Sequence, residues 1–442
     1  MEIVDATIQR SRWMAVAGLA LAAVLHAGKP VTAAETPFSG TRLADYLERA
    51  LDANPGLKAF EDRHRGALAD VEVAGTLPDP RLQVTHFVES VQTRTGTQEN
   101  VFVLSQSVPW FGKLRQRETA ATAEAEAVYF LWQARQLGLV REVAGLYFDY
   151  AFTGRSFALT GENLELLELF QPIVEERVRA GGDLNALLRL QVEIERLRDR
   201  LKSLEQTRAA QSARLAALLA LPDADLLPWP EWQPPEPLAI DGPALHVALE
   251  ANNPVLAMLD RKIASAEARR VLARLERFPD LMLGVNYIQL DGYAGSTLPE
   301  AGRDPWGVSV GISLPIWEGR NRARDAGALA ARTAAAHERR DRENRLHADL
   351  DAAIARHDDA MRRLELYGGK LLGLAQQALE ITRTSYEAGR ATVLEVIDSE
   401  RSLLDLQLQY WRAAAEAWQS RVAIQTLVNH PVAGRPRAAS AP

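Results

Sequence analysis

Histidine is the residue type in this chain that first suggests metal or acid–base chemistry. The chain has eight histidines and no cysteine, which excludes thiolate metal ligands, disulfides and a cysteine nucleophile. His337, His347 and His357 follow one another at intervals of ten residues. On a helix each step of ten turns by about 280°, whereas ligands on one helix face are three or four residues apart. The spacing therefore favours solvated surface histidines, and we expect no metal site and no cofactor.

Carboxylates offer a second kind of chemistry. Glu395 and Asp398 are three residues apart in a helical pattern, so they share one helix face. From spacing alone, an exposed turn that pairs with Arg390 or Arg401 is an equally good interpretation. The chain contains no phosphate-binding glycine loop, nucleophile elbow or zinc-protease motif. We therefore expect no catalytic residues and no enzyme; an exported hydrolase is the least supported function class.

Composition and the N-terminus narrow the setting. The 442 residues carry a formal charge of -7, which argues against a nucleic-acid-binding surface. Arg10 and Arg12 precede an apolar run at 13–25 that is followed by small residues, a pattern typical of a secretory signal peptide. That run is shorter than the roughly 20 residues a membrane-spanning helix needs. We predict a signal peptide over 1–34 and no transmembrane helix in the mature chain.

A duplication supplies the elements that would position these residues. Ala-Leu-Asp-Ala-Asn-Pro at 50–55 recurs as Ala-Leu-Glu-Ala-Asn-Asn-Pro at 248–254, Pro-Asp at 78–79 recurs at 279–280, Ser-Val-Pro-Trp-Phe-Gly-Lys at 107–113 recurs with one insertion as Ser-Leu-Pro-Ile-Trp-Glu-Gly-Arg at 313–320, and Ala-Gly at 180–181 recurs at 388–389. The period of about 200 residues is too long for a solenoid unit. It predicts one module present twice.

The predicted organisation is a first repeat at 35–221 and a second at 244–430. Each repeat would hold a helix, a β-hairpin and a long helix pair. A proline-rich linker at 222–243 would join the repeats, and a disordered tail would follow at 431–442. The segment 316–430 contains no proline, and only Gly368-Gly369 and the turn at 388–390 interrupt its helical pattern. Apolar residues at 3–4 spacing in both halves predict coiled-coil helices.

The strands show period-two alternation. Trp306, Val308 and Val310 alternate with small residues, which predicts a strand with one apolar face. Four strands of about 9 to 10 residues have the length of membrane-barrel strands. A half-buried sheet in a soluble sandwich is the alternative. Four strands cannot close a membrane barrel, which needs at least about 8, so the chain must oligomerise if the strands insert.

The combination of these motifs resembles the TolC-like outer-membrane efflux channel family. The Ala-Asn-Pro openings, the Ser-x-Pro-aromatic-Gly-basic corners and the Tyr-Glu-Ala-Gly turn at 386–389 carry the resemblance, which covers about 43–430. Leu-Pro-Asp-Pro at 77–80 with Pro-Trp-Phe-Gly-Lys at 109–113 is similar to the heavy-metal exporter branch. The resemblance implies an α+β membrane protein, a homotrimer whose strands share one 12-stranded barrel, with long coiled-coil helices forming a periplasmic tunnel.

The family resemblance also implies a function. We expect an exit duct in the outer membrane, extending into the periplasm, that passively conducts cargo from a tripartite efflux system. Its partners would be a periplasmic adaptor (membrane fusion protein), an inner-membrane pump of resistance-nodulation-division type and outer-membrane lipid. The runner-up is a soluble periplasmic coiled-coil adaptor or scaffold. The sequence does not name the cargo, which could be a metal ion, a drug or a protein.

Site residues follow from the same resemblance. Glu395 and Asp398 would form the channel constriction, and Tyr386 and Arg390 would be latch residues of the closed end. The turns for adaptor docking would contain Gly181, Gly182 and Gly389. Ala186 and Leu187 stand where the family often has polar latch partners, which argues against a latch between the repeats.

Overall fold

The computed structural model describes residues 38–221, 226–238, 240–291 and 299–430. The predicted signal peptide, the tail and part of the linker lie outside these residues. The chain forms two compact units. Phe60–Trp132 with Val255–Arg342 makes up one, and the remaining described residues make up the other. Each unit combines segments of both repeats.

The first repeat holds four helices and two strands within the described residues. They are α1 (Leu43–Ala53), α2 (Pro55–Gly75), β1 (Arg81–Thr93), β2 (Gly96–Val108), α3 (Lys113–Arg179) and α4 (Leu184–Leu219). Its opening helix is thus split in two. The hairpin strands are longer than the sequence predicted, at 13 residues each.

The second repeat has the same order. Its described elements are α5 (Gly242–Asn252), α6 (Pro254–Leu275), β3 (Leu281–Asp291), β4 (Trp306–Ile312), α7 (Glu318–Leu366), a π-helical turn (Tyr367–Leu371), α8 (Leu372–Glu387) and α9 (Val393–Val428). The helix α5 begins within the last two residues of the predicted linker. Gly368 and Gly369 do not break the helix but lie in the π turn, where a Cβ on Gly368 would come within 2.7 Å of the Tyr410 ring.

The recurring Asn-Pro motif marks where each opening helix splits. Asn54 Nδ2 donates to the carbonyl of Leu218 at 3.0 Å, at the end of α4. In the second repeat Asn253 Nδ2 donates to the carbonyl of Leu427 at 2.7 Å, at the end of α9. The last carbonyls of a helix lack partners inside it. The motif therefore recurs because each asparagine caps the long helix that closes its own repeat.

The strands form one antiparallel sheet in the order β1-β2-β3-β4. Its register places apolar side chains in rows across the strands. One row is Leu82, Leu104, Val285 and Val308, and the next is Val84, Phe102, Tyr287 and Trp306. On β4 this face is open, with Val308 68% and Val310 69% exposed. Such exposed apolar patches mark sites of contact with protein or membrane.

A buried ion pair ties the two repeats together beside the sheet. Lys113, only 3% exposed, donates from Nζ to Asp280 Oδ1 at 2.7 Å and to the Phe278 carbonyl at 2.9 Å. The Trp110 amide donates to the same carboxylate oxygen at 2.8 Å. The basic corner after β2 thus binds the aspartate of the Pro-Asp motif that precedes β3. A buried charge needs such compensation.

The other unit is built on packed helices. Its apolar cluster takes side chains from α3, α4, α8 and α9. They are Leu159, Leu167, Phe170, Val174, Leu190, Ile194, Leu197, Tyr386, Val393, Val396, Ile397, Leu404 and Leu408. Burial of each large apolar side chain contributes about 1.5–3 kcal/mol. None of the helices in the described ranges is both long enough and apolar enough to cross a bilayer.

Candidate functional site

The two glycine turns have the same backbone design. The chain leaves α3 through Gly181, whose φ is +98°, and the Gly182 amide donates to the Arg177 carbonyl at 2.9 Å. It leaves α8 through Gly389, whose φ is +74°, and the Arg390 amide donates to the Ser385 carbonyl at 2.8 Å. This closing pattern favours glycine at the left-handed position. Both predicted docking turns therefore exist as compact helix-to-helix connections.

The turns differ in how the next helix begins. Asp183 caps α4 by accepting from the Asn185 amide at 2.9 Å. Thr392 caps α9 with a reciprocal pair, in which Thr392 Oγ accepts from the Glu395 amide at 3.3 Å and the Glu395 carboxylate accepts from the Thr392 amide at 2.6 Å. That is a capping box, which satisfies two amides at the start of a helix.

Glu395, a predicted constriction residue, is occupied by this cap. Its carboxylate also accepts from Thr392 Oγ at 3.0 Å. The bond from the Thr392 amide, followed by that from the hydroxyl, lowers the pKa of Glu395 below its usual value. Glu395 therefore pairs with Thr392 at the start of α9. It does not pair with Arg390 or Arg401, the two arginines considered from the sequence.

Asp398, the second predicted constriction residue, has a freer carboxylate. Its side chain is 61% exposed, and Arg401 Nη1 lies 3.9 Å from Oδ1. The same arginine makes a closer ion pair with Glu193 of α4, whose side chain is only 9% exposed. Because Arg401 is held by Glu193, Asp398 carries most of the uncompensated negative charge on this turn of α9.

Tyr386, a predicted latch residue, is part of the apolar cluster. It is 2% exposed, and its ring centroid lies 4.9 Å from that of Phe170. Its hydroxyl is buried and has no hydrogen-bond partner among the described residues. Arg390, the other predicted latch residue, is exposed and forms no ion pair within the part of the chain described here. The structure of one chain therefore does not bring Tyr386 and Arg390 together.

Arg177 is the residue that the sequence reasoning missed. Its guanidinium lies 4.0 Å from the centroid of the Tyr386 ring, and Nη2 donates to the carbonyls of Tyr386 at 2.6 Å and Glu387 at 3.0 Å. A cation is favourable at a helix C-terminus, where carbonyls lack partners. A contact between the repeats thus exists at this end, although Ala186 and Leu187 argued against one. A basic residue in the last turn of α3 was the available signal.

A buried carboxylate lies deeper in the same cluster. Glu400 is 3% exposed and accepts from Asn163 Nδ2 at 3.3 Å, while its Oε1 atom has no partner in the described residues. Burial raises the pKa of Glu400, and Arg383 and Asn163 oppose that rise.

Known proteins resemble the chain in both sequence and fold. Residues 245–430 match the family model described as outer membrane efflux protein. Nodulation protein T of Rhizobium leguminosarum bv. trifolii is 22% identical, over 88% of this chain and 85% of that protein. The pyoverdine export outer membrane protein OpmQ of Pseudomonas putida is 26% identical, over 88% and 85%. The cobalt-zinc-cadmium resistance protein CzcC of Cupriavidus metallidurans is 23% identical, over 86% and 88%.

Solved structures share the fold. The outer-membrane channel OprN superposes with a TM-score of 0.75 at 21% identity, over 88% of this chain and 90% of that chain. VceC, the outer membrane protein of Vibrio cholerae, superposes with a TM-score of 0.72 at 19% identity, over 88% and 96%. These neighbours confirm the duplicated α+β fold predicted from the repeat pattern.

Proposed function

From the match of residues 245–430 to the family model described as outer membrane efflux protein, together with the similar proteins and structures, we propose that the chain is the outer-membrane exit duct of a tripartite efflux system. It conducts passively and extends into the periplasm. The similarity to OpmQ, which covers 88% of this chain and 85% of that protein, carries this conclusion. That similarity favours an exit duct over a soluble adaptor. The relatives are channel proteins and not enzymes.

The sheet supports assembly into a shared barrel. Strands β1 and β4 are its outer strands, and unpaired edges invite pairing with another chain. Head-to-tail pairing of β4 with β1 of the next copy closes a ring, and three copies give about 12 strands around an aqueous lumen. The exposed rows that include Val308 and Val310 would then face outer-membrane lipid.

Repeat symmetry supplies the contact between copies. The corner after β2 places Lys113 on Asp280, which precedes β3. The matching corner after β4 ends in Arg320, and the matching Pro-Asp motif before β1 ends in Asp79. Both side chains are exposed in the single chain. When β4 pairs with β1 of a neighbouring copy, Arg320 meets that copy's Asp79 as Lys113 meets Asp280.

A charge exchange tests this contact. Arg320→Asp should weaken the trimer by placing two carboxylates together, and adding Asp79→Arg should restore it. Cross-linked trimer in native membranes is the measurement, and Arg322→Asp, another exposed position on α7, is the matched control. Loss of trimer in the single variant without rescue in the double variant contradicts the pairing.

At the periplasmic end, Glu395 and Asp398 of three copies would form rings of negative charge that favour cations. The geometry of the single chain makes Asp398 the stronger contributor, because Glu395 is held by Thr392. Tyr386 and Arg390 would act as latch residues between copies. The turns at Gly181, Gly182 and Gly389 would dock a periplasmic adaptor. The inner-membrane pump would be of resistance-nodulation-division type.

Similarity to CzcC, whose name describes cobalt, zinc and cadmium resistance, supports a place in the heavy-metal exporter branch. OpmQ, named for pyoverdine export, is similar over 88% of the chain, compared with 86% for CzcC. The heavy-metal branch is therefore a proposal, and cargo assays must distinguish metal export from export of other cargo. Export of divalent metal by cells that carry this chain, compared with cells that lack it, is the direct measurement.

Conductance in a planar bilayer tests the duct. The purified mature protein should give small, cation-selective currents. Glu395→Ala with Asp398→Ala should enlarge the current and reduce its selectivity, because the negative rings are removed. Asp62→Asn is the control, since Asp62 is exposed on α2 and paired with Arg65. A folded oligomer that gives no current would contradict the duct, and a double variant like wild type would contradict the constriction.

A further inference from the structure

Helices α5 and α7 face each other with histidines and carboxylates at matched spacing. On α5, His246 and Glu250 are four residues apart; on α7, Glu343, His347 and Asp351 follow at steps of four. Residues four apart lie on one helix face. Two ligand-bearing faces therefore meet, in a packing that joins residues about a hundred positions apart in the chain.

The contacts form a continuous chain. His246 Nε2 lies 2.8 Å from Asp351 Oδ1, and His246 Nδ1 lies 2.7 Å from His347 Nδ1. His347 Nε2 lies 3.2 Å from Glu250 Oε1. The ligand atoms of Glu250, Glu343 and His347 all lie within 4.8 Å of one another. Each of the four ring nitrogens of the two histidines therefore has a neighbour within hydrogen-bond distance.

Counting protons exposes a gap in this chain. Three contacts join the two rings to each other and to the carboxylates of Asp351 and Glu250. A hydrogen bond at each contact requires one donor hydrogen, so the three contacts together require three. Two neutral imidazoles carry only two N–H groups. If these serve Asp351 and the contact between the rings, the lone pair of His347 Nε2 faces the Glu250 carboxylate, and Glu343 belongs to the same group of ligand atoms. Lone pairs on both sides repel unless a third proton or a metal cation stands between them.

We propose that Glu250, Glu343 and His347 bind a divalent transition-metal cation of the Zn²⁺ class. Imidazole and carboxylate together suit Zn²⁺, and two carboxylates balance its charge. His246 is a positioning residue: it accepts from His347 Nδ1–H and donates to Asp351, which holds Nε2 of His347 toward the cation. His347 has a side-chain exposure of 26% and Glu250 of 57%, so the cation reaches the site from solvent. The bound cation joins α5 to α7.

This site departs from the expectation that the histidines are solvated surface groups. That expectation considered only the intervals of ten among His337, His347 and His357 on one helix. The relevant partner of His347 lies on α5, in a different part of the second repeat. The site does not depend on whether the chain conducts.

Zinc titration of the folded oligomer tests the proposal. The full mature protein, with any affinity tag removed and its metal stripped by chelator, is titrated with Zn²⁺ against a chromophoric chelator. We expect one Zn²⁺ per chain, not displaced by Mg²⁺, which prefers all-oxygen sites. X-ray absorption of the bound Zn²⁺ should show a single imidazole nitrogen together with carboxylate oxygens. Substitution of His246 by Asn should weaken binding by about 10–100-fold while that ligand set stays the same.

The variants His347→Gln, Glu250→Gln and Glu343→Gln should each weaken binding more than His246→Asn does. The matched controls are His337→Gln and Asp349→Asn, both exposed positions on α7, and they should bind like wild type. Circular dichroism verifies that each variant is folded. The proposal is wrong if wild type binds no more Zn²⁺ than the three ligand variants do. It is also wrong if the control variants lose as much Zn²⁺ binding as the ligand variants.

Discussion

The helical turn after α3 and the helical turn after α8 share one backbone and differ in their side chains. Gly181 and Gly389 occupy the same left-handed position, and each turn closes with the same six-residue hydrogen bond. Aligned on these glycines, Arg177 corresponds to Ser385, and Val178 corresponds to Tyr386. Duplication therefore preserved the path of the chain while the side chains around it diverged.

The divergence makes the contact between the turns one-directional. Arg177 of the first repeat holds the carbonyls and the ring of Tyr386 in the second. Ser385 is too short to return that contact. Substitutions that act on backbone should affect both turns alike, and those that act on side chains should affect one.

The largest expected effect is from proline at the glycine of a turn. Gly389→Pro forces φ from +74° toward about -65° and removes the amide that donates to the Tyr386 carbonyl. We expect a loss of about 3 kcal/mol in the free energy of unfolding, with membrane insertion retained and export abolished. Gly181→Pro should lose a similar amount. Denaturant unfolding and an export assay measure both.

Gly373→Ala is the control for these substitutions. It lies within α8, and a Cβ there meets no atom within 4 Å, so its stability should rise by up to about 1 kcal/mol. Unchanged unfolding and unchanged export in Gly389→Pro would refute the role assigned to the turn.

Arg177→Ala should have the next largest effect, and only at the second turn. It removes two charge-assisted hydrogen bonds and a cation–π contact, a loss of about 2–3 kcal/mol. Arg177→Lys should recover part of it, because lysine keeps the charge but not the fork. Arg179→Ala, which removes an exposed pair with Glu176, should change stability by less than about 0.5 kcal/mol. If Arg177→Ala and Arg179→Ala lost equal free energy of unfolding, the one-directional contact from Arg177 to the second turn would be contradicted.

The two helix caps should contribute less than the Arg177 contact. Thr392→Ala and Asp183→Ala should each cost about 1 kcal/mol. Only the second turn adds a carboxylate at the third helical position, Glu395; the first has Ala186 there.

Because the folded-state pKa of Glu395 lies below its usual 4.5, its contribution is present above that pH and is lost as the pH falls through the folded-state pKa. The difference in thermal midpoint between wild type and Glu395→Gln should therefore shrink in acid. A difference that is constant with pH would contradict the cap.

Tyr386→Phe should have the smallest effect on stability. The hydroxyl is buried and unpaired among the described residues, so removing it should leave the free energy of unfolding unchanged or raise it by about 1 kcal/mol. If the hydroxyl latches the closed trimer, the variant should conduct more without being less stable. Unchanged conductance would remove Tyr386 from the latch and leave it as the platform for Arg177.

Much of the fold could be predicted from the sequence because it depends on local rules. Period-two alternation at 306–314 predicted β4, and the Ala-Gly pairs at 180–181 and 388–389 predicted both turns. The split at Asn54 was not predicted, although Pro55 signals it, because the residue before a proline is disfavoured in the helical region. What the sequence could not show is the bond from Asn54 to Leu218 across 164 positions. The lengths of β1 and β2 were underestimated because cross-strand pairing extends them beyond their apolar alternation, whereas β4, at 7 residues, is shorter than predicted.

The candidate site was predicted less well, since its chemistry depends on which partner each side chain finds. Glu395 and Asp398 share a face, as expected from their spacing. The capping bond of Glu395 and the exposure of Asp398 distinguish them only in the folded chain. Signals for both were present, in the Thr-x-x-Glu of the capping box and in Arg401 three residues after Asp398.

The sequence by itself determined the duplication, the positions of the strands and turns, and the resemblance to an outer-membrane channel family, because periodicity and glycine conformations act within a few residues. The tertiary structure decided which distant groups meet. It placed Arg177 on Tyr386, Lys113 on Asp280 and His246 on His347. These contacts arise from helix and strand packing, which brings together residues whose separation in sequence carries no information about their distance in space.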